Sequence, residues 1–338
     1  MTNFGTDFTD CVFCGICNGY CPIFRCISEE LHSPRGYLSL AREIIEKDKD
    51  YYTIYECLLC RECEQACPLS INITELILEA RERISKNIES KFKEFLDFAL
   101  KPKLESYDLK GDRRKCLLFA GCFPSLYVND EIIFVKQILS LLDFSKIQIV
   151  RGCCGVFLES IGMRELASKS LNLLTDLIQK VSPDSVVSLC PTCTIKLSSL
   201  YDAKTTADIV LEFLKKFEGS IEGLPSTVVY FNCPIDSVNR LAHQIIRMIP
   251  GMVVVKTVKG LSCTSLNPLN EEVCVRVLHH LINEFSNEEV QILIASSPVD
   301  LYLLRNICSK KIFTVSSLSE LALTVTGYFE NVESIAKL

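Results

Sequence analysis

The sequence predicts an α+β protein, with a cysteine-rich α-helical N-terminal domain followed by two α/β repeats, the second degenerate. Three observations support this. Two matching four-cysteine runs lie before residue 70. After residue 112, short β-rich runs alternate with helical stretches, as α/β units do. About 111 residues further on, part of the same cysteine pattern recurs.

The chain has 338 residues, enough for two or three domains with sizeable cores. Hydrophobic residues make up 48% and charged residues 23%, ordinary values for a soluble globular protein. A formal net charge of −6 does not favour nucleic acid as a partner. The apolar runs fall well short of the ~20 residues a membrane span requires. The start, Met1 to Asp7, lacks the basic region and apolar stretch of a signal peptide. There are 19 cysteines, many at three-residue spacing. In a long chain without an export signal, that pattern points to a reducing compartment and to metal rather than disulfides. The expected location is cytoplasmic, or peripheral on the cytoplasmic face of a membrane.

The helical domain is read from residues 11–22, CVFCGICNGYCP, and 57–68, CLLCRECEQACP. Both fit C-x2-C-x2-C-x3-C-P, the pattern of bacterial ferredoxins. Three cysteines in one tight loop can direct thiolates at three irons of one cube. The fourth begins a new segment and serves the other cube. The expected ligands are therefore Cys11, Cys14, Cys17 and Cys67 for one [4Fe–4S] cluster, and Cys57, Cys60, Cys63 and Cys21 for a second. Pro22 and Pro68 set the exit of the chain, and Gly15 and Gly19 let the backbone close around the sulfurs. Zinc commonly takes two C-x2-C pairs and leaves two four-cysteine runs ending in Pro unexplained. Cys26 lies outside both runs and reads as a packed free cysteine.

Between the runs, Ser33-Pro34-Arg35-Gly36 reads as a turn into a helix ending near Glu46. The 35-residue separation of Cys21 and Cys57 resembles the helical ferredoxin domain of succinate dehydrogenase iron–sulfur subunits. From Thr74 to about Leu100 a helical pattern places Ile77, Ile84, Ile88, Phe92, Phe95 and Ala99 near one face. Lys86, Lys91 and Lys93 alternate with Glu82, Glu89 and Glu94 on the other, the pattern of a linker helix packed on its own domain, with a surface for a membrane or partner as the alternative. Expected domains are 1–105 for the helical part, 113–222 for the first repeat and 223–338 for the second.

In the α/β part, the β-rich runs are Cys116 to Ala120, Ile147 to Val150, Val186 to Leu189, Val228 to Phe231, Met252 to Val255 and Ile292 to Ala295. Cys122, then Cys153 and Cys154, then Cys190 and Cys193 follow the carboxyl ends of the first three, the edge where ligands gather in α/β sheets. Cys190-Pro191-Thr192-Cys193 is itself a C-x2-C. This arrangement resembles the CCG-domain iron–sulfur proteins, here Cys153-Cys154-Gly155. That family includes subunits of heterodisulfide reductase and of anaerobic glycerol-3-phosphate dehydrogenase, and glycolate oxidase iron–sulfur subunits. The resemblance implies that Cys122, Cys153, Cys154, Cys190 and Cys193 form a candidate redox site. Its occupant is a noncubane [4Fe–4S] cluster or zinc, and a metal-free vicinal dithiol is the remaining alternative.

In the second copy, Cys233 aligns with Cys122 and Cys263 with Cys153, while Ser297-Pro298-Val299-Asp300 fills the C-x2-C slot. Two of five cysteines remain, so this repeat is expected to be a scaffold. Cys274, Cys308, His243, His279 and His280 sit in apolar helical patterns and read as packing or surface residues.

The expected function is an iron–sulfur electron-transfer subunit of a respiratory-type dehydrogenase complex. Electrons would pass from an FAD-dependent dehydrogenase partner through two [4Fe–4S] clusters to the CCG site, then to quinone or another acceptor. A Gly-x-Gly-x-x-Gly fingerprint is missing and only 14 glycines occur, so substrate oxidation is assigned to another polypeptide. Alternatives are a heterodisulfide reductase-like thiol–disulfide reductase subunit, a membrane-docking subunit with structural zinc, and a redox sensor. Val12, Phe13, Leu58 and Leu59, beside the cysteines, are expected to form the docking surface.

Overall fold

A computed structural model describes residues 10–109, 114–285, 289–308 and 314–328. Arg113, the expected start of the first repeat, and residues 329–338, the expected end of the second, lie outside the described residues. The chain forms two compact units. The first runs to Leu96 and takes in Phe157–Ser168 and Thr264–Glu284. The second comprises Asp97–Val156, Lys169–Cys263 and the chain from Phe285 onward. Each expected repeat therefore lends one segment to the helical unit.

In the first unit, the Ser33 hydroxyl accepts a bond from Gly36 N at 3.0 Å and Pro34 opens a helix to Lys47. Tyr37, Leu38, Ala41 and Ile44 recur at helical spacing on its buried face. The stretch expected as one helix from Thr74 is instead three pieces. Ile73–Ile84 is α, Ser85–Phe92 is 3₁₀ and Lys93–Ala99 is α again. The tighter 3₁₀ winding still keeps Ser85, Ile88 and Phe92 buried. Lys86, Lys91 and Lys93 are exposed, so the apolar face packs and the charged face is solvated.

The second unit holds both sheets. Its strands are β1 (Lys103–Asp108), β2 (Arg114–Phe119), β3 (Phe144–Arg151), β4 (Ser185–Ser188) and β5 (Ala203–Thr205). They continue with β6 (Ser226–Asn232), β7 (Met252–Lys259), β8 (Ile292–Ala295) and β9 (Thr314–Ser317). The sheet orders are β1-β3-β2-β4-β5 and β7-β6-β8-β9. β1 runs antiparallel to β3, and every other pairing is parallel. β3-β2-β4-β5 and β7-β6-β8-β9 are thus the same arrangement twice, so the cysteine repeat is also a repeat of topology. Three strands, β1, β5 and β9, add to the six runs expected. β1 also carries the sheet into residues 103–105, which the sequence pattern assigns to the helical domain.

Because β2 lies between β3 and β4, the chain turns in opposite directions from its carboxyl end. Such a switch point is where ligands gather in α/β sheets. The apolar core takes in Leu118, Val187, Tyr230 and Ile294 from the strands and Ile138, Val210, Ile245 and Leu321 from the helices around them. Two of those helices begin on side-chain caps. Thr205 and Asp208 form a reciprocal capping box, and the Ser317 hydroxyl accepts from Glu320 N. No helix among the described residues is long and apolar enough to cross a membrane.

Candidate metal centres

Two cavities in the first unit bring the N-terminal cysteines together in the crossed pattern. One is lined by Cys11, Cys14, Cys17 and Cys67 with Arg35 and Leu38. The other is lined by Cys21, Cys57, Cys60 and Cys63 with Tyr37 and Ile77. Each holds three cysteines of one run and the fourth of the other.

The two loops share one backbone shape. Phe13 (φ 54°) and Leu59 (φ 53°) occupy equivalent positions, as do Gly15 (φ 77°) and Arg61 (φ 61°). All four lie in the left-handed region, which costs a non-glycine residue roughly 1–2 kcal/mol. Such a curl persists only where its surroundings demand it, here a loop wrapped around a centre. Gly15 needs its freedom, whereas Gly19 has open space around it and no unusual φ. Pro22 opens the helix Pro22–Ile27, for which Cys21 is the N-cap residue.

The sulfurs of each set act on one another. Burial pushes the Cys17 thiol up, and the Cys11, Cys14 and Cys67 sulfurs push it the same way. In the second cavity burial pushes Cys21 and Cys57 up to about 11, and Cys63 higher still. Bare thiols there hold their protons, and metal entry must release them. Four convergent thiols around an apolar cavity are the donor set a cubane cluster takes, so the residues fit that group.

The exposure of the two rims differs. Beside the first cavity Val12 is 70% exposed and Phe13 53%, with Ile16 and Leu69 also exposed. Beside the second, Leu58 is buried and Leu59 half-buried. The expected docking surface therefore divides, and only the Val12–Phe13 side faces solvent. The Tyr55–Leu58 stretch is tied down by Ser265, whose Oγ donates to the Leu58 carbonyl at 3.0 Å, and by Asn267, whose Nδ2 donates to the Tyr55 carbonyl at 3.1 Å.

In the second unit, Cys122, Cys153, Cys154, Cys190 and Cys193 lie just beyond the carboxyl ends of β2, β3 and β4, and all five are buried. Their thiols act on one another in sequence, Cys122 on Cys153, Cys153 on Cys154, Cys154 on Cys193 and Cys193 on Cys190. These effects run pairwise. Among the described residues no group of three or more His, Cys, Asp or Glu side chains closes on one point as a single metal ion requires. A Cβ on Gly121 would sit 3.5 Å from the Cys193 sulfur, so the backbone lies directly against the thiols.

The chain of thiols has a sixth member outside the five expected. Cys263, from the second repeat, bears on Cys190. The neighbouring Cys193 and Cys263 thiols hold Cys190 well below the usual thiol range, with Cys193 and Thr192 N–H groups adding to the effect. Cys263 is pushed up in turn by Cys190 and by burial. The signal for it in the sequence is the alignment of Cys263 with Cys153, and the missing C-x2-C argues against using it. In that slot Asp300 is fully buried, with Oδ1 accepting from Leu261 N at 2.7 Å and Oδ2 unpartnered. Burial pushes its carboxyl well up.

Cys26, Cys116, Cys274, Cys308, His243, His279 and His280 line neither cavity of the first unit. Cys26 is half-buried, and Cys116 is fully buried within β2. Cys274 is buried with Sγ 3.4 Å from the Ser265 carbonyl, and Cys308 is buried near the end of the helix Pro298–Cys308. His243 packs edge-on against Tyr230, while His279 and His280 lie on the helix Glu271–Asn283.

Residues 7–71, which contain all eight cysteines of the two runs, match the 4Fe-4S dicluster domain family. This segment is a 4Fe-4S dicluster domain. Relatives of the chain include iron–sulfur proteins. The glycolate oxidase iron–sulfur subunit of Escherichia coli is 30% identical over 83 residues, 23% of this chain and 20% of that protein. An uncharacterised iron–sulfur protein of Methanocaldococcus jannaschii is 24% identical over 221 residues, 56% of this chain and 44% of that one. A CoB-CoM heterodisulfide reductase subunit of Methanosarcina acetivorans is 35% identical over 77 residues, 23% of this chain and 46% of that protein. The chain thus spans less than half the length of each. A crystal structure of a hypothetical protein from Helicobacter pylori shares the fold, with a TM-score of 0.59 at 14% identity, covering 90% of this chain and 70% of that one. Over these sequence stretches the chain is similar to iron–sulfur subunits of oxidoreductases.

Proposed function

We propose that the chain is the electron-transfer subunit of a dehydrogenase complex, accepting electrons from a flavoprotein partner and delivering them through the dicluster domain to the CCG site. The observation that carries this is the pair of cavities, each lined by four cysteines in the crossed arrangement. A four-iron cluster in each cavity supplies one-electron chemistry. Cys11, Cys14, Cys17 and Cys67 hold one, and Cys57, Cys60, Cys63 and Cys21 the other.

Val12, Phe13, Ile16 and Leu69 form the surface on which the flavoprotein docks, because they leave an apolar rim exposed beside the first cavity. Such a rim excludes water from the contact. Cys122, Cys153, Cys154, Cys190 and Cys193 form the terminal site as a noncubane cluster, and quinone or another acceptor takes the electrons; zinc there, having no redox chemistry, would make the site structural instead. A second reading, reduction of a disulfide at that site, draws on the low-lying Cys190 thiol and its two thiol neighbours.

Anaerobic purification tests the proposal. The loaded chain should contain about eight irons from the dicluster domain, or about twelve with a third four-iron centre, and should co-purify with a flavoprotein. A lone monomer that oxidises a small organic acid by itself would overturn it.

A further inference from the structure

Each cysteine cavity has an arginine bonded to its loop, and the two arginines stand in opposite electrostatic settings. At the first cavity, Arg35 Nη1 donates to the Phe13 carbonyl at 2.9 Å. Its charge is already partnered by the Glu30 carboxylate, with Nη2 to Oε2 at 2.9 Å, and both side chains reach solvent. At the second cavity, Arg81 is fully buried. Its Nη2 donates to the Cys57 carbonyl at 2.7 Å and to the Ile54 carbonyl at 2.9 Å. Nε donates to Ile54 O at 3.2 Å and Nη1 to Ser160 O at 2.6 Å, while the guanidinium lies over the Tyr55 ring.

Among the described residues no carboxylate pairs with Arg81, and the groups that bear on it are Cys57, Tyr55 and Tyr37. Guanidinium keeps its proton in proteins. A buried charge held only by neutral carbonyls is costly unless an opposite charge lies close by. Here the donor side of the second cavity supplies one, because thiolates around a cluster carry net negative charge. Two backbone features hold the cation in place. Tyr55 donates from its hydroxyl to the Arg81 carbonyl at 3.1 Å. Gly162, at φ 83°, comes so near that a Cβ there would lie 2.5 Å from Arg81 C.

We infer that Arg81 makes the second cluster the more easily reduced of the two, and so sets the internal direction of electron flow from the Cys11–Cys67 cavity toward the Cys57–Cys21 cavity. Reduction adds one electron, hence one negative charge, to a centre beside an unscreened buried cation. The equivalent step at the first cavity takes place beside a neutralised, solvated pair. Glu64 acts in the opposite sense, since its carboxylate also bears on Cys57 and Cys63. It is partly offset by Arg61, 3.9 Å away, and accepts from Thr74 N at 2.7 Å.

The inference rests on the cluster reading above, which the iron count of the unmodified chain tests separately. The experiment is a redox titration of the full loaded chain, followed by electron paramagnetic resonance, with each signal assigned through Cys67→Ser and Cys60→Ser. In Arg81→Gln the reduced-to-oxidised ratio of the second cluster at a fixed potential should fall at least tenfold, equal to 59 mV for a one-electron couple, with the first cluster unmoved. Arg35→Gln should move the first cluster by less than that. Full iron content with neither potential shifted in Arg81→Gln would overturn the proposal. If that variant does not load, Arg81→Lys decides. A ratio within about threefold of the parent supports a role for the charge, and a tenfold fall overturns it. An unmodified chain lacking a second cubane would remove the cluster reading and this inference together.

Discussion

The thiols of Cys190 and Cys263 shift one another's protonation in opposite directions, although one belongs to the first cysteine repeat and the other to the degenerate second. The second repeat therefore contributes a sulfur to the site, in addition to whatever support its sheet provides. Cys263→Ser is expected to alter the metal content or resonance signal of the CCG site, as Cys153→Ala or Cys193→Ala would. Cys233→Ala, which removes a buried thiol outside this series of thiols, should cost only about 1–2 kcal/mol of stability. Iron analysis and paramagnetic resonance on the four variants check this. An unchanged signal in Cys263→Ser, or equal loss in the Cys233 variant with folding intact, would contradict the six-thiol arrangement.

The crossed cavities make a sharper prediction than the cysteine count alone. Cys67→Ser should damage the cluster held with Cys11, Cys14 and Cys17, although Cys67 lies in the other run. Cys21→Ser should damage the one held with Cys57, Cys60 and Cys63. Each variant should lose up to about four of eight irons. Resonance spectra showing the opposite assignment would mean that each run serves its own cluster.

The uneven rims predict an uneven response to charge. Phe13→Asp places a carboxylate on the exposed apolar rim and should slow reduction by the flavoprotein at least ~10-fold, with iron content unchanged. Leu58→Asp would bury the charge and should cost folding or cluster loading instead. Stopped-flow reduction rates beside iron analysis separate the two. Full-rate reduction in Phe13→Asp would place the partner elsewhere.

Glu131 introduces a pH dependence into the second unit. Burial pushes its carboxyl up to about 7, against hydrogen bonds from Ser317 and Ser319 that favour the charged form. An unfolded glutamate titrates near 4.5, so between the two values the native chain binds more protons than the unfolded one. Stability should therefore fall as pH rises through this window and level off above it, by up to about 3 kcal/mol. Glu131→Gln should remove that slope. Urea unfolding of parent and variant at pH 5 and pH 8 would show it, and parallel behaviour of the two would refute it.

Local spacing made the cysteine sites legible. The two N-terminal runs and the cysteines beyond β2, β3 and β4 follow from short loops and strand ends, where a few neighbouring residues decide the geometry. The contributions of Arg81, Ser265, Asn267 and Cys263 depend on residues far apart in the chain, and such contacts leave no period to read. β1 escaped notice because its alternation sets charged and polar side chains against few apolar ones. The 3₁₀ turn at Ser85–Phe92 was hidden for a different reason, since Ile84, Ile88 and Phe92 stay buried in either winding.

The three-part first unit bears on the order of events during synthesis. Cys11 through Cys67 emerge from the ribosome early, and the chain needed for both cavities exists once residue 77 has been made. The residues that fasten the Tyr55–Leu58 stretch arrive late. Ser160 comes some 100 residues after Cys57, and Ser265 and Asn267 about 200 after it. At roughly 5–20 residues per second, the second cavity waits on the order of 10–40 s for its last supports, whereas the first needs none of them. Iron delivery to a nascent chain would therefore find the first site finished and the second still open.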